Sequence, residues 1–304
     1  MKQRWISLGS VLLVGSTAPI FAQGRTEYFN VESPQVKPIT VPNVGGHDWL
    51  FVCNTPDNSV EIWDTDESIP LSQRFKRRVR VGLEPVSVKY NPVTGRVYTA
   101  DFLSDSVSVF SLLVEGSTIT ARPSMTRYVG DEPMDIAFSS DGLSLFVTHN
   151  SSSTFGWRDA TTLDPVGLVA PLTDMEHIDL TDKDADPNAI PPVTPTRALK
   201  EPRAVAVRGS KLFVLGFKGG DAAALPPGFF AYDFDLYSRD LSSPGPQTLT
   251  QLGTLGTTNF NMALGGTDDL WVVGGAAQNL APTAVSERGV ALQVTGFVKS
   301  MIYR

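Results

Sequence analysis

The chain has 304 residues, of which 41% are hydrophobic and 19% are charged, and its net charge is −7. This composition is ordinary for a folded protein, and the negative charge argues against nucleic acid or an anionic membrane as a partner. Because Cys53 is the single cysteine, no internal disulfide can form. Cys53 lies in the apolar run WLFVCN, which predicts a buried structural thiol rather than a nucleophile.

The first residues have the order of a targeting signal. Lys2 and Arg4 precede the apolar run WISLGSVLLVG, and the small residues of APIFA follow it. This order predicts a secretory signal peptide over residues 1–22 and a periplasmic or secreted protein without stable membrane insertion. The alternative is an uncleaved anchor. Residues 23–45 then form a leader segment, and residues 46–304 form the folded domain.

A sequence motif recurs along the chain. The stretches GLEPVSVKYNPVTGRVYTAD and GDEPMDIAFSSDGLSLFVTH align, and three further stretches align with them on one aromatic position. The aligned aromatic residues are Phe51, Tyr98, Phe146, Phe213 and Trp271. Their spacings are 47, 48, 67 and 58 residues, which indicates a repeat architecture.

Each repeat has the pattern of short strands. The runs PVSVKY, RVYTAD and SVSVF are rich in β-branched and aromatic residues, and NPVTG and SSDG predict hairpin turns ending in a glycine with positive φ. Helical capping patterns are lacking. Three or four strands in about 45 residues are typical of a propeller blade. The sequence therefore predicts an all-β fold, a β-propeller of about five four-stranded blades, with almost no helix.

The repeat resembles the YVTN-type β-propeller repeat, which has a Gly-x-x-Pro start, an Asp-Gly hairpin, an aromatic-Val-Thr-Asn strand and a Val-x-Val outer strand. The first three repeats carry the matching residues: Phe51, Val52, Asn54, Gly82, Pro85, Tyr98, Val107, Val109, Gly130, Pro133, Asp141, Gly142, Phe146, Val147 and Thr148. The later repeats keep Glu201-Pro202 and Trp271-Val272. This resemblance implies the fold, and it implies relatives with more blades, some of them joined to c-type cytochrome modules. The chain has no C-x-x-C-H motif for haem attachment.

Two segments depart from the repeat. Residues 163–200 are rich in Asp and Pro, which predicts a loop insertion that lies outside the blades and is less ordered than they are. The last stretch, GVALQVTGFVKSMIYR, ends as a further strand begins. We therefore expect either an open or incomplete propeller, which would self-associate through its exposed edge, or a small closed ring.

Two groups of carboxylates are candidate metal ligands. Glu84, Glu132 and Glu201 each precede the proline that opens a repeat, and extended geometry before proline would turn them alike toward the mouth of a central channel, with Asp135 nearby. The alternative is that each glutamate satisfies its own loop. A second candidate is a calcium loop, since Asp182, Asp184 and Asp186 alternate in TDKDADPN. The usual glycine and the closing glutamate of such loops are missing there.

Three functions remain open. The first is a non-enzymatic binding or scaffold propeller for a protein or small ligand, without a predicted cofactor, because no catalytic motif accompanies the repeats. The second is a metal-dependent, lactonase-like hydrolase with a divalent cation held by carboxylates. The third is the propeller module of a cytochrome-linked redox system. The histidines, His47, His149 and His177, are expected to be polar loop residues rather than metal ligands.

Overall fold

The computed structural model describes residues 35–151, 154–166, 178–179, 199, 201–217, 236–242, 248–250, 258–266, 269–277 and 298–303. These residues belong to one compact unit, Ser33–Arg304. The predicted signal peptide and the first part of the predicted leader lie outside the described residues. Within the described ranges, no helix has the length and hydropathy needed to cross a bilayer.

The described strands form five antiparallel sheets, called sheets 1 to 5 in chain order. Sheet 1 contains β1 (Ile39–Thr40), β2 (Asn43–Val44), β3 (His47–Asn54), β4 (Ser59–Asp64) and β5 (Phe75–Arg80). Sheet 2 contains β6 (Pro85–Asn91), β7 (Arg96–Asp101), β8 (Ser106–Glu115) and β9 (Thr118–Tyr128). Sheet 3 contains β10 (Pro133–Phe138), β11 (Ser144–His149), β12 (Thr154–Asp159) and β13 (Ile178–Asp179). Sheet 4 contains β14 (Pro202–Arg208), β15 (Lys211–Gly216), β16 (Leu236–Asp240) and β17 (Thr248–Thr250). Sheet 5 contains β18 (Thr258–Leu264), β19 (Leu270–Ala277) and β20 (Val298–Tyr303).

The protein is a nearly all-β propeller, as the repeats predict. The helices of the described part are the short α1 (Leu71–Arg74) and a single 3-10 turn (Thr55–Asp57). In every sheet the aligned aromatic residue lies on the second strand of the pairing order: β3, β7, β11, β15 and β19. The prediction that these residues occupy equivalent strands is confirmed.

Apolar contacts between neighbouring sheets form the core. Phe51 and Val88 belong to the cluster between sheets 1 and 2, and Phe146 and Val205 belong to the cluster between sheets 3 and 4. A third cluster joins sheets 2 and 3 and continues into sheets 4 and 5. Each sheet buries an apolar face on the next, which a single blade could not do alone.

The innermost strands identify the centre of the propeller. β6, β10, β14 and β18 pack against one another in this order, so that sheets 2 to 5 meet along them. Among the described strands, no comparable packing joins sheet 5 to sheet 1. Trp271 is 38% exposed and Phe213 is half-buried, whereas Phe51, Tyr98 and Phe146 at the same position are fully buried. The described sheets form an open arc.

The hairpin turns follow the prediction. Gly95 has φ +67° and Gly142 has φ +70°, so both take the left-handed conformation expected from NPVTG and SSDG. At Gly142 a Cβ would also lie 2.6 Å from the side chain of Val93. Glycine is therefore required there both by conformation and by the close approach of the neighbouring hairpin.

Two predicted boundaries differ from the structure. Residues 39–44, placed in the leader, already pair with β3 as β1 and β2. Parts of the predicted insertion belong to sheet 3 rather than lying outside the blades, because Ile178–Asp179 pairs with β12 as β13. Leu163 and Leu199 are fully buried, and Val166 N donates to Trp157 O at 3.0 Å. The segment is rich in proline and does not carry the repeat motif, so the sequence did not indicate that these residues belong to a blade.

Candidate functional site at the centre of the propeller

Residues 35–38, the central segment, lie along the innermost strand of sheet 2. Lys37 bridges Ser87 in a parallel orientation. Val36 N donates to Val86 O at 3.0 Å, and Val88 N donates to Lys37 O at 3.0 Å. The central segment thus pairs with β6 of sheet 2, although in the chain it directly precedes sheet 1.

The central segment also contacts the other sheets. Cys53 N, on β3, donates to Pro38 O at 2.8 Å. Asn261 Nδ2, on β18, donates to Val36 O at 2.7 Å. Val36 itself is 5% exposed and belongs to the apolar core. The segment therefore occupies the space enclosed by the innermost strands.

Lys37 and Asp135 form the main charge contact of this centre. Lys37 Nζ lies 2.5 Å from Asp135 Oδ2 and donates to Val205 O at 3.0 Å. Val205 N donates to Asp135 Oδ2 at 2.9 Å, so that β14 both donates to this carboxylate and accepts from its partner. One residue of the leader thus joins sheet 3 to sheet 4.

The other oxygen of Asp135 is satisfied as well. Ser87 Oγ donates to Asp135 Oδ1 at 3.0 Å, and Ile136 N donates to the same oxygen at 2.8 Å. Asp135 is fully buried, which alone would raise its pKa. The positive charges of Lys37 and Lys89 and the Lys37 hydrogen bond instead hold the pKa of Asp135 below its usual value. This carboxylate is ionised and has a counter-ion from its own chain.

Lys89 completes the charge balance from β6. Burial and the nearby charge of Lys37 lower the pKa of Lys89 to about 8, while Asp135 opposes the shift. Two lysines thus face one carboxylate at the centre. The local charge is positive when both are protonated, which disfavours a further cation there.

The three glutamates have architectural positions in the turns that open the repeats. Glu84, Glu132 and Glu201 have φ values of 54°, 53° and 51°. The extended geometry predicted for the residue before proline is therefore wrong. Their carbonyls accept hydrogen bonds from Phe102 N, Asn150 N and Phe217 N at 3.0, 2.9 and 2.9 Å.

Side chains from the preceding sheet hold two of these turns. Glu84 N donates to Asn58 Oδ1 at 2.8 Å, and Glu132 N donates to Asp105 Oδ1 at 2.9 Å. Asn150 Nδ2 donates to Glu132 Oε2 at 3.0 Å. These tertiary contacts outweigh the local preference for extended backbone. For Glu132, the contact with Asn150 Nδ2 fits the alternative in which the glutamate satisfies its own loop.

In the described ranges, no group of three or more His, Cys, Asp or Glu side chains is placed so that it could hold a metal ion. The channel-mouth site of Glu84, Glu132, Glu201 and Asp135 stays a prediction for metal titration. Asp182, Asp184 and Asp186 of the predicted calcium loop lie outside the described residues.

A second buried carboxylate, Asp101, lies at the end of β7. Thr99 Oγ1 donates to its Oδ1 at 2.7 Å, and Ser108 Oγ donates to its Oδ2 at 2.6 Å. No ion pair to Asp101 occurs within the described part of the chain. Burial raises the pKa of Asp101 to about 7, although hydrogen bonds from Ser108, Thr99 and Ser106 oppose the shift.

The histidines and the cysteine have local roles. His47 Nε2 lies 2.7 Å from Asp64 Oδ1, and Lys76 Nζ lies 3.1 Å from Asp64 Oδ2. His149 is buried and its Nδ1 lies 3.2 Å from Thr154 Oγ1. His177 lies outside the described residues. Cys53 is buried and its pKa is raised by burial, which confirms the predicted structural thiol.

Sequence reasoning missed Lys37. The signal was present in part, because Asp135 interrupts the apolar strand PMDIAF and a buried carboxylate needs a partner. The partner is 98 residues away in sequence. No local pattern identifies such a contact.

Neither a protein-family model nor a curated protein matches this chain. Solved structures do. Hydrazine synthase of Kuenenia stuttgartiensis is 17% identical with a TM-score of 0.51, covering 84% of this chain and 58% of that chain. A protein from Lactobacillus plantarum is 17% identical with a TM-score of 0.50, covering 76% of this chain and 61% of the other. A candidate 6-phosphogluconolactonase from Bacteroides uniformis is 16% identical with a TM-score of 0.50, covering 78% and 63%.

These similarities concern the fold. The chain spans about three fifths of the length of these solved structures. At such low identity they carry no residue-level correspondence to an active site, since one fold hosts many functions. The YVTN-type resemblance is not named by any of them and stays a prediction.

Proposed function

We propose that the chain is an exported, non-enzymatic β-propeller that binds a protein or small ligand on its rim. One observation carries the proposal. The central segment fills the space between the innermost strands, and there Lys37 forms an ion pair with the fully buried Asp135.

A ligand site is normally a concave pocket with a few polar groups directed into it. At this centre the polar groups are directed at each other instead. Asp135 accepts hydrogen bonds from Lys37, Ser87, Ile136 and Val205, and each of its oxygens accepts two. A carboxylate so satisfied is a poor metal ligand or general base, because binding or chemistry would first have to break these contacts. Among the residues that the structure describes, this leaves the rim of the propeller as the surface for binding.

Metal titration and hydrolysis assays test the non-enzymatic part. Purified protein is analysed for calcium, magnesium and zinc, titrated with each, and assayed with 6-phosphogluconolactone. We expect no stoichiometric metal and no hydrolysis. The informative variants are Glu132→Gln for the channel mouth and Asp184→Asn for the predicted calcium loop, with Glu67→Gln on the exposed β4–β5 connection as the matched control.

Stoichiometric metal that is lost in Glu132→Gln but kept in Glu67→Gln would contradict the proposal and favour a lactonase-like hydrolase. Metal lost only in Asp184→Asn would establish the calcium loop without catalysis. Hydrolysis by wild type that survives purification to homogeneity would also contradict the proposal.

Export is supported by the basic, apolar and small-residue order of residues 1–22. N-terminal sequencing of protein recovered from outside the cytoplasm is expected to begin at Gln23. Recovery of the intact chain beginning at Met1 from the membrane fraction would favour the uncleaved anchor.

A further inference from the structure

The outermost strands of sheets 1 and 2 carry basic side chains in an otherwise acidic protein. Six basic residues and no Asp or Glu lie on β5 and β9: Lys76, Arg77, Arg78, Arg80, Arg122 and Arg127. The whole chain has a net charge of −7. The positive charge is therefore concentrated on neighbouring strands, since β5 and β9 pack against each other.

Some of these charges are neutralised within the protein. Lys76 pairs with Asp64, Arg78 pairs with Asp57 and Glu61, and Arg127 pairs with Asp164. Arg80 donates to Asp57 O at 2.8 Å and lies 3.8 Å from its carboxylate, which leaves most of its guanidinium donors free.

Arg77 is different. Its side chain is exposed, and it makes no hydrogen bond or ion pair with the residues that the structure describes. It pairs with Ile62 in the ladder two positions before Val79, so that it lies on the face of β5 that turns toward sheet 2. Arg77 is thus an uncompensated charge beside the junction of the two sheets.

A cavity of about 190 Å³ lies at this junction. Its lining contains Arg80 at the end of β5, Val81 directly after it, Phe110 on β8, and Met125 and Thr126 on β9. The lining combines an arginine, residues with hydroxyl groups and apolar residues. Such a cavity suits one side chain of a partner.

The β5 strand also has a free edge. It is the last strand of sheet 1 and pairs through its ladder with β4 alone among the described strands. An edge strand presents unpaired backbone N–H and C=O groups, which an extended peptide can join as an added strand. A free phosphate or a sugar lacks the backbone pattern that would use this edge.

We propose that β5 binds an acidic, extended segment of a partner protein, which adds as a strand and places one carboxylate on each face of β5, at Arg77 and at Arg80. A side chain of the same segment enters the cavity between β5 and β9. This inference rests on the proposed binding function and names its surface and partner class.

Binding of a labelled peptide in which glutamates recur at every third position among valines tests the inference, measured by fluorescence anisotropy, because residues three positions apart lie on opposite faces of a strand, as Arg77 and Arg80 do. We expect wild type to bind it, and Arg77→Gln/Arg80→Gln to bind it roughly tenfold more weakly, since two exposed ion pairs are lost. The matched control is Arg122→Gln, which removes an exposed charge from β9 and is expected to bind as wild type does.

A peptide of the same sequence with alternate backbone nitrogens methylated separates strand addition from general anion binding. We expect it not to bind, because strand addition needs those N–H groups. Equal binding of the methylated peptide, of inorganic phosphate or of anionic vesicles would overturn the inference. So would self-association of Arg77→Gln/Arg80→Gln without any peptide binding by wild type, because the charges would then only protect the edge. Such a failure leaves the proposed function intact as long as metal and hydrolysis are absent.

Discussion

Sheets 2 and 3 each bury one aspartate completely, and the two behave in opposite ways. Asp135 has a pKa below its usual value, whereas the pKa of Asp101 is raised to about 7. Both accept several hydrogen bonds, so the number of donors does not explain the difference. Asp135 has a lysine as a donor, and Asp101 has hydroxyls. A buried carboxylate is ionised here because of a counter-charge, and hydrogen bonds from neutral groups are not sufficient.

The largest expected effect is removal of that counter-charge. Lys37→Met leaves Asp135 buried with one ammonium fewer, and we expect the free energy of unfolding to fall by about 3–5 kcal/mol. Urea unfolding at neutral pH measures it. The double variant Lys37→Met/Asp135→Asn is expected to recover much of the loss, because the fully buried side chain at position 135 is then neutral.

The control for this variant is Lys76→Met on β5, which also faces a buried aspartate, Asp64. That carboxylate keeps His47 and the N–H of Asp66 as partners, so the loss is expected to be smaller. Equal losses in Lys37→Met and Lys76→Met would break the comparison.

The second effect is on the pH dependence of stability. The folded pKa of Asp101, about 7, lies above its ordinary value of 3.8, so the folded protein holds this proton more tightly than the unfolded chain. Its contribution is full below the ordinary pKa and is lost as the pH rises through 7. From about pH 5 to about pH 8 we expect wild type to lose roughly 2 kcal/mol relative to Asp101→Asn.

Unfolding of both proteins in urea at the two pH values measures this difference. Asp135 has the reverse sign, since its contribution is present above its ordinary pKa and is lost as the pH falls below it. Parallel pH profiles for wild type and Asp101→Asn would show that Asp101 does not titrate in this range.

A smaller effect distinguishes the hydroxyl donors. Ser87 Oγ donates to Asp135 and Ser108 Oγ donates to Asp101. Each alanine variant is expected to lose about 1–2 kcal/mol of stability. For Ser87→Ala the loss stays constant between pH 5 and pH 8, roughly, because Asp135 is ionised throughout. For Ser108→Ala the loss grows with pH, because only the ionised Asp101 depends strongly on this donor. Equal pH dependence in the two variants would contradict the assigned protonation states.

The smallest effect concerns Glu132, whose backbone conformation is expected to matter more for stability than its charge. Glu132 has φ 53°, a conformation that glycine adopts without strain. Glu132→Ala and Glu132→Gly both remove the side-chain contact with Asn150 Nδ2, so the difference in their stabilities isolates the backbone. We expect the glycine variant to be more stable by about 1 kcal/mol in thermal or urea unfolding. An alanine variant as stable as the glycine variant would show that the turn relaxes.

The sequence predicted the part of the fold that depends on neighbouring residues. Aromatic positions and hairpin glycines recur with the repeat, and the structure places Tyr98 and Phe146 on equivalent strands with Gly142 in a left-handed turn. The same reasoning failed for Glu84 and its equivalents, because contacts from other sheets override the local preference before proline. Asp135 could be marked as unusual in its strand, but nothing nearby pointed to Lys37.

The position of the central segment has a consequence for the order of folding. The hydrogen bond from Asn261 Nδ2 to Val36 O joins residues separated by 225 positions. Residues 35–38 leave the ribosome before any sheet exists, yet their partners are spread over all five sheets. Their full set of contacts is complete only when β18 has been made and has packed. Contacts of such long sequence separation close late and slow the overall rate of folding. The first described residues of the chain are thus expected to be among the last to become protected from hydrogen exchange during refolding.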